Sequence, residues 1–468
     1  MSQQVLAEKA TRALVALFLL AGCVLRLTAL DVHSLWFDEC GTLAVALGEA
    51  PTQVLLADRH PPLSFWAFRV GSSWLGESDS MLRLLPALLS CGALLLFALW
   101  SRSWTTQGVR PIAIALFALS PFQIWMGQEV RMYPFVEFGA LLALVGAERA
   151  QKRAVSGAAL VALGTACAFG SHYLGACAGL LACVRGTSLQ SRVPVFVGAG
   201  IGLALWVPWL LYALPSQLQS EWGDTLRIAP ADFAELVPRL LSVEFDAVDP
   251  AWHWLVYLLG ALAWIAVARC TFLALSEREC REALVLFVLP VAATLALALT
   301  VGGGFQPRYL LLATPGLSWA ISLGLRTHRA SIGGALGAVL CMGLLLHTVL
   351  LRQRNLREDY SSACAEVESA WRPGDRVVSI TGTSATFADA PLRHYLRTRP
   401  EILASLTTWR RVAEELSAGS KMDFTLHVVY RDSDYARPEL EAIASTLDRI
   451  TVGEARFRIQ HSSWRRTR

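Results

Sequence analysis

Residues 13–39 read ALVALFLLAGCVLRLTALDVHSLWFDE, an apolar run that is followed by two adjacent acids. The run from Ala13 to Leu30 is long enough to cross the hydrocarbon core of a bilayer as one helix. Asp38 and Glu39 come shortly after its end. Carboxylates are costly near hydrocarbon, so an acidic pair at this depth is a candidate functional site. The alternative is that both acids belong to the solvated start of a loop.

The composition of the whole chain indicates a membrane protein. Of its 468 residues, 54% are hydrophobic and 17% are charged, and the mean hydropathy is +0.45. The net charge is only +4, and Lys and Arg do not cluster with aromatic residues, so we expect no nucleic-acid partner. Residues 352–468 carry 19 of the 41 Lys and Arg and 16 of the 37 Asp and Glu residues. We therefore expect a membrane body over residues 1–351 and a soluble domain over residues 352–468.

Apolar runs of about 17–22 residues recur through the membrane body, which is the length that a membrane helix needs. We predict about eleven spans, near residues 13–30, 83–101, 109–126, 134–149, 154–171, 174–189, 193–214, 251–273, 283–301, 308–325 and 332–351. Every second loop is rich in Lys and Arg, which is typical of cytoplasmic loops. This orientation places the N-terminus in the cytoplasm of a multi-pass inner or plasma membrane protein. The outer loops 31–82 and 215–250 and the C-terminal domain then lie outside.

In two parts of the outer region, the sequence pattern predicts secondary structure. Ser64–Leu75 carries Trp66, Phe68 and Trp74, which is consistent either with a helix in the membrane interface or with packing on the membrane body. Helix-like and strand-like segments alternate in the C-terminal domain, which predicts a small α/β fold. We expect helices at 359–371, 410–416 and 438–447 and strands at 376–380, 424–430 and 457–460. This part of the sequence has no phosphate loop or nucleophile elbow, so we expect a lid or a docking platform.

Six short motifs follow one another along the chain. They are Trp36-Phe37-Asp38-Glu39, His60-Pro61-Pro62-Leu63, Leu82-Arg83-Leu84-Leu85-Pro86, Gln128-Glu129-Val130-Arg131-Met132-Tyr133, Ser171-His172-Tyr173 and Pro307-Arg308-Tyr309-Leu310. Together they resemble the GT-C fold glycosyltransferases of the protein-O-mannosyltransferase and aminoarabinose-transferase type (glycosyltransferase family 39). The resemblance covers residues 12–360. It implies a polytopic α-helical membrane protein that moves a sugar from a polyprenyl-phosphate donor to a protein, lipid or glycan acceptor among the membrane lipids.

The resemblance also implies roles for the two acids. An acceptor hydroxyl or amine must lose a proton as it attacks the sugar, which requires a positioned base. Asp38 matches the Asp of the family's first-loop Asp-Glu pair and is the candidate base, and Glu39 is expected to orient neighbouring groups or to bind the acceptor. One carboxylate is enough for an inverting displacement, because the acceptor takes the place of the attacking water.

Cations are expected where the donor phosphate leaves. Arginine suits this role because its planar guanidinium matches phosphate oxygens. The candidates are Arg308 first, then Arg131 and Arg83, together with Tyr309. For each arginine the alternative is a side chain that reaches the lipid headgroups.

The remaining motif residues are assigned from the resemblance as well. His172, Tyr173 and Tyr133 are candidates for substrate contacts. Glu129 and His60 are candidate ligands of a divalent metal, and this pair of ligand types suits Zn²⁺ or Mn²⁺ better than Mg²⁺. Some of these enzymes act without metal, so the sequence leaves metal use open. At the junction Glu358-Asp359-Tyr360 relatives often continue with Arg, but this chain has Ser361, which leaves the use of this junction open.

Two other classes of protein are compatible with the same composition. A flippase or transporter of a lipid-linked sugar would share the apolar body, but such proteins usually show internal repeats and charges near the middle of the membrane. Here the charges of the motifs lie at one face and no repeat is visible, which favours the enzyme. A sensor or assembly protein that acts through the C-terminal domain is the third interpretation.

Overall fold

The computed structural model of the protein describes residues 3–49, 55–56, 58, 60–185, 189–219, 230–242, 250–301, 306–326, 330–352, 358–380, 389–417, 426–431 and 457–462. The chain divides into two compact units. The first, which we call the membrane unit, contains Met1–Leu30 and Leu55–Gln353. The second, which we call the sheet unit, contains Asp31–Val54 and Arg354–Arg468. Part of the predicted outer loop 31–82, Asp31–Val54, thus belongs to the same compact unit as the C-terminal part of the chain.

All regular secondary structure in the described part of the membrane unit is helical. Its α-helices are Gln3–Leu27, Leu63–Leu75, Asp79–Trp100, Arg110–Leu119, Pro121–Gly127, Tyr133–Ala150, Ala154–Ser171, Ala176–Arg185, Leu189–Ala204, Val207–Gln219, Pro230–Ala234, Leu236–Leu241, His253–Leu273, Arg278–Val301, Thr314–Gly324 and Ala330–Arg352. Short 3₁₀ helices lie at Ser101–Ser103, Gln107–Val109, Tyr173–Gly175, Pro250–Trp252 and Pro307–Ala313.

The described helices support some, but not all, of the eleven predicted membrane spans. Among the described residues, six helices are long and apolar enough to cross a membrane, or seven if the bent pair Arg192–Ala204 and Val207–Leu218 forms one span. The chain is therefore a multi-pass membrane protein, but the count of eleven is not confirmed. Four of the predicted spans, near 109–126, 134–149, 174–189 and 308–325, are not among these helices.

The predicted span at 109–126 shows one cause of this difference. The helix Arg110–Leu119 ends at Ser120, whose backbone is extended, and a second helix begins at Pro121. The Ser120 hydroxyl accepts a hydrogen bond from the backbone N–H of Gln123 at 3.3 Å. Serine at the cap and proline in the first turn are the usual start of a new helix. Hydropathy alone does not detect this break.

Two helices of the membrane unit, Tyr133–Ala150 and Ala154–Ser171, approach each other closely through glycine. A Cβ atom on Gly139 would lie 2.5 Å from the carbonyl oxygen of Gly164. Such contacts leave no room for a side chain, which is typical of helix packing inside membranes.

We expect Gly139→Ala to destabilise the membrane unit by about 1–3 kcal/mol, because the new methyl group collides with backbone that cannot move aside. Gly200 is the matched control, since a Cβ there meets nothing within 4 Å. Gly200→Ala should be neutral or stabilising, because alanine favours helix. Thermal unfolding of the detergent-solubilised protein measures both variants. Equal unfolding temperatures would contradict the assigned contact.

The aromatic helix Leu63–Leu75 packs on the membrane unit through part of its surface, and its location in the membrane interface stays a prediction. Phe68 is buried, and its ring packs edge-on against Phe135 at a centroid distance of 5.6 Å. Trp66 and Trp74 are exposed, at 50% and 85% respectively. One face of the helix therefore packs on the membrane unit while the other presents tryptophan outward.

The sheet unit is built around parallel strands. The strands are β1 (Arg376–Ile380), β2 (Leu406–Thr407), β3 (Leu426–Arg431) and β4 (Phe457–Ser462), in the order β2-β1-β3-β4. Val377 and Val378 of β1 pair with Leu406 and Thr407 of β2, and all neighbouring strands are parallel. Its α-helices are Phe37–Ala46, Tyr360–Ala370, Ala390–Tyr395, Pro400–Leu403 and Trp409–Ser417.

Local sequence signals account for these elements. Asp359 begins the helix Tyr360–Ala370, and its carboxylate accepts a hydrogen bond from the N–H of Ser362 at 3.1 Å. The turn before β1 contains Gly374 with φ +102°, a conformation that favours glycine. The predicted elements at 359–371, 376–380, 410–416, 424–430 and 457–460 coincide with described helices and strands to within about two residues. The predicted helix at 438–447 lies outside the described residues.

Candidate functional site

Most of the candidate residues lie at the ends of elements in the membrane unit. Arg131 and Tyr133 lie where the chain enters the helix Tyr133–Ala150, and His172 follows the helix Ala154–Ser171 directly. Tyr173 begins one 3₁₀ helix, and Arg308 and Tyr309 lie in another, Pro307–Ala313. The structure joins these positions into one continuous polar cluster.

Asp58 and His60 form a close pair at one edge of this cluster. Nδ1 of His60 lies 2.6 Å from Oδ1 of Asp58, and the backbone N–H of His60 donates to the same oxygen at 2.9 Å. Burial acts to raise the pKa of the Asp58 carboxyl, but the charge and hydrogen bonds of His60, together with Arg131, outweigh it and lower that pKa. Asp58 is therefore ionised at neutral pH and holds the imidazole of His60 in place.

His172 lies next to this pair. Its ring centroid is 5.2 Å from that of His60 and 5.9 Å from that of Tyr309. Burial lowers the pKa of His172 well below its usual value, and the charges of His60 and Arg131 act in the same direction. Nδ1 of His172 accepts a hydrogen bond from the N–H of Leu174 at 3.0 Å. The neutral ring therefore carries its proton on Nε2, which makes that atom a hydrogen-bond donor.

Gln217 connects Tyr173 to Asp58, and sequence reasoning missed it. The Tyr173 hydroxyl donates to Oε1 of Gln217 at 2.6 Å, and Nε2 of Gln217 donates to the backbone carbonyl of Asp58 at 2.6 Å. The Gln217 side chain is almost fully buried. An amide satisfies both partners because it carries a donor and an acceptor. A glutamine near the end of an apolar helix is the only signal that the sequence gives.

Two arginines converge on Tyr133. Arg131 and Arg308 both lie within electrostatic range of the Tyr133 hydroxyl, as do Glu129 and Tyr309. The guanidinium carbon of Arg308 lies 5.5 Å from the centre of the Tyr309 ring. Guanidinium groups are well suited to bind phosphate oxygens, and the Glu129 carboxylate lies within the same range of this phenol.

Arg83 lies near the start of the helix Asp79–Trp100. It is buried, and its Nη1 donates to the backbone carbonyl of Leu30 at 3.0 Å. This bond joins the helix Asp79–Trp100 to the segment that follows the first helix, Gln3–Leu27. The proposed phosphate role of Arg83 stays a prediction.

Asp38 and Glu39 lie in the sheet unit, on the helix Phe37–Ala46. Glu39 is fully buried, and its Oε2 accepts a hydrogen bond from the backbone N–H of Trp36 at 3.1 Å. This bond caps the helix, which is consistent with an orienting role for Glu39. Asp38 occupies the second position of the helix and is partly buried. The proposed roles of both acids stay predictions.

The described residues do not form a metal centre. Nowhere among them do three or more His, Cys, Asp or Glu side chains gather in a way that could hold a metal ion. Nδ1 of His60 is engaged with Asp58, and Oε1 of Glu129 accepts from Nε1 of Trp125 at 3.1 Å. Within the described part of the chain, the predicted divalent metal (Zn²⁺, Mn²⁺ or Mg²⁺) therefore finds no fitting set of ligands.

A buried polar network inside the membrane unit was also missed. Arg26 is fully buried in the first helix, where it donates to Ser90 Oγ at 2.9 Å and to the carbonyl of Ala118 at 2.8 Å. Glu137 is buried as well, with its Oε1 3.3 Å from Thr314 Oγ1. In the sequence, a single charged residue within an apolar run indicates that such a buried polar contact is present.

Comparisons with known proteins identify the fold. No protein-family model matches the chain, and no curated protein matches it. The chain is similar to ArnT from Cupriavidus metallidurans in the apo state, with a TM-score of 0.56 over 88% of this chain and 92% of that one. The fold is that of the GT-C glycosyltransferases. ArnT bound to undecaprenyl phosphate gives a TM-score of 0.54 over 86% and 90% of the two chains. The identity is 13% in both cases, so the likeness confirms the GT-C fold alone.

Proposed function

We propose that this GT-C protein is a glycosyltransferase that moves a sugar from a polyprenyl-phosphate donor to an acceptor at the outer face of the membrane. The convergence of Arg131 and Arg308 beside Tyr133 carries the proposal, because the reaction releases a lipid phosphate whose charge needs preorganised cations. The fold supports it, since ArnT from Cupriavidus metallidurans has been solved with undecaprenyl phosphate.

The proposed reaction is a single displacement with inversion. An acceptor oxygen or nitrogen forms a bond to the anomeric carbon while the bond between that carbon and the phosphate oxygen breaks. The phosphate leaves with the electron pair as polyprenyl phosphate, and the acceptor proton passes to a carboxylate. Asp38 is the proposed base, because it matches the family's first-loop Asp, and Glu39 holds the start of its helix.

The other groups of the cluster have proposed binding roles. Arg308 and Arg131 bind the donor phosphate, with Tyr309 beside them and Arg83 as a further candidate. His172 offers Nε2–H, and Tyr133 offers its hydroxyl, to oxygens of the sugar or the phosphate. Tyr173 acts with Gln217 to hold Asp58 and, through it, His60.

The opposite end of the bundle argues against the flippase interpretation. Arg185 is buried at the end of the helix Ala176–Arg185, which follows the 3₁₀ turn of Tyr173. Its guanidinium forms ion pairs with both Glu148 and Glu282. Its guanidinium also lies 5.8 Å from the Trp100 ring and 5.5 Å from the Trp319 ring. Alternating access requires both ends of a bundle to open. Separating these buried charges would be costly, which favours a site that opens at one end only.

A reconstituted assay tests the proposal. The purified protein in proteoliposomes is given radiolabelled polyprenyl-phosphate mannose, and then other lipid-phosphate sugars, with membrane acceptors. We expect label in an acceptor together with release of polyprenyl phosphate. Movement of the intact donor across the bilayer, with no label in any acceptor, would establish a flippase and refute the proposal.

A further inference from the structure

The junction that opens the C-terminal part of the chain bonds directly to the segment that carries Asp38. Oε2 of Glu358 accepts a hydrogen bond from the backbone N–H of Phe37 at 3.0 Å, and Phe37 is the residue immediately before Asp38. The backbone carbonyl of Glu358 accepts a second bond from Ser34 Oγ at 2.6 Å. Glu358 is 4% exposed, so both contacts are shielded from water.

A second residue of the sheet unit binds the same segment. The hydroxyl of Tyr395 accepts a hydrogen bond from the backbone N–H of Leu35 at 2.6 Å. The N–H groups of three successive residues, Leu35, Trp36 and Phe37, thus each meet a side-chain oxygen, from Tyr395, Glu39 and Glu358 respectively. Helix starts need such acceptors because their first N–H groups have no partner within the helix. Two of the three acceptors come from more than 300 residues further along the chain.

Apolar packing reinforces these bonds. The ring of Phe37 is buried in one cluster with Tyr360, Cys364 and Leu392. The helix Phe37–Ala46 also contacts the helix Ala390–Tyr395. The backbone that carries Asp38 is therefore fixed both by hydrogen bonds and by a packed aromatic ring.

The charge of Glu358 suits this position. A carboxylate at the N-terminus of a helix interacts favourably with the partial positive charge of the exposed N–H groups. Alanine at position 358 would leave the N–H of Phe37 without this acceptor in a buried place, which destabilises the helix start. Glutamine would keep an oxygen there and lose only the charge.

We propose that Glu358 and Tyr395 are positioning residues that hold Asp38 in its working orientation, so that the C-terminal part of the chain is required for the chemical step. This inference rests on the proposed function, in which Asp38 is the base. It gives the junction Glu358-Asp359-Tyr360 a role although the Arg typical of relatives is replaced by Ser361. It also means that removal of residues 352–468 would abolish transfer rather than leave part of it.

The test compares Glu358→Ala, Glu358→Gln and Tyr395→Phe with Glu366→Ala, a matched control at an exposed position of the helix Tyr360–Ala370. Two properties are measured in detergent micelles. The first is amide hydrogen exchange of peptides that cover residues 34–46. The second is the kinetics of sugar transfer, with kcat and the donor KM determined separately.

We expect Glu358→Ala to speed exchange in residues 34–46 and to lower kcat about 10- to 100-fold, because a small displacement of a catalytic group is costly. The donor KM should stay close to that of the wild type. Glu358→Gln should restore most of the rate, and Glu366→Ala should change neither property. Wild-type exchange and wild-type kcat in Glu358→Ala would overturn the proposal.

If hydrogen exchange in Glu358→Ala becomes faster throughout the sheet unit, that variant is unfolded as a whole, and Tyr395→Phe then tests the proposal. It removes one oxygen and keeps the ring, and we expect faster exchange in residues 34–46 with a lower kcat. Unchanged exchange and kcat in this variant would overturn the proposal. A wild-type protein that transfers no sugar from any donor would instead refute the proposed function, while the exchange data would still report on the contacts.

Discussion

Replacing Asp38 by Asn should lower kcat for sugar transfer about 10²- to 10⁴-fold, which is the usual contribution of a general base. Asparagine has nearly the same shape as aspartate but cannot take the acceptor proton. The donor KM should change little, because the proposed phosphate contacts involve other residues. The measurement is label transfer from the donor that the wild-type protein uses, with purified variant and wild type at equal concentrations.

Two further variants show whether the loss belongs to Asp38 itself. Asp31→Asn removes an exposed acid from the same segment and should leave the rate unchanged. Glu39→Gln should reduce the rate less than Asp38→Asn, because the amide oxygen of glutamine can still accept the hydrogen bond from Trp36. Full transfer activity in a folded Asp38→Asn protein would remove Asp38 as the base.

The fold class was accessible from sequence because its signals are local. Long apolar runs predict membrane helices without any knowledge of their neighbours, and the likeness to ArnT confirms the GT-C fold that was expected from them. The number of spans was less accessible. Ser120 and Pro121 divide one apolar run into two helices, and hydropathy averaged over a window does not register such a break.

The polar cluster was predictable in part for the same reason. Arg131, His172 and Arg308 each lie at the end of a helix or in a short 3₁₀ turn, and topology alone places such ends together. Gln217 was not predictable, because its role consists of two hydrogen bonds to partners that are 44 and 159 residues away in the sequence. A glutamine carries no motif of its own.

The placement of the Asp38 segment shows the main limit of sequence reasoning. The segment follows the first membrane helix, so we assigned it to a loop of the membrane body. Its backbone bonds, however, go to Glu358 and Tyr395, which are separated from it by 321 and 360 residues. Contacts at such separation leave no periodic pattern in the sequence. Arg26 is a related case, because its partners on other helices appear only once the bundle is assembled.

Replacing Arg308 by Ala should weaken binding of the lipid-phosphate donor about 10- to 100-fold, because a hydrogen bond between charged groups contributes about 1.5–3 kcal/mol. Arg308 lies beside Tyr309 and, like Arg131, acts on the Tyr133 hydroxyl. The affinity for the acceptor should change much less. Titration with undecaprenyl phosphate, followed by the KM of each substrate, measures the two effects separately.

Arg308→Lys tests whether a positive charge alone is sufficient for donor binding. We expect its affinity to lie between those of Arg308→Ala and the wild type, because an ammonium group cannot make the paired contacts of a guanidinium. Arg149→Ala is the control, since Arg149 is exposed and lies at the other end of the helix that begins with Tyr133. Equal donor affinity in Arg308→Ala and the wild type would show that Arg308 does not bind the phosphate. Arg131 would then be the remaining cation of the pair, and the same titration with Arg131→Ala would decide whether the phosphate binds at this cluster at all.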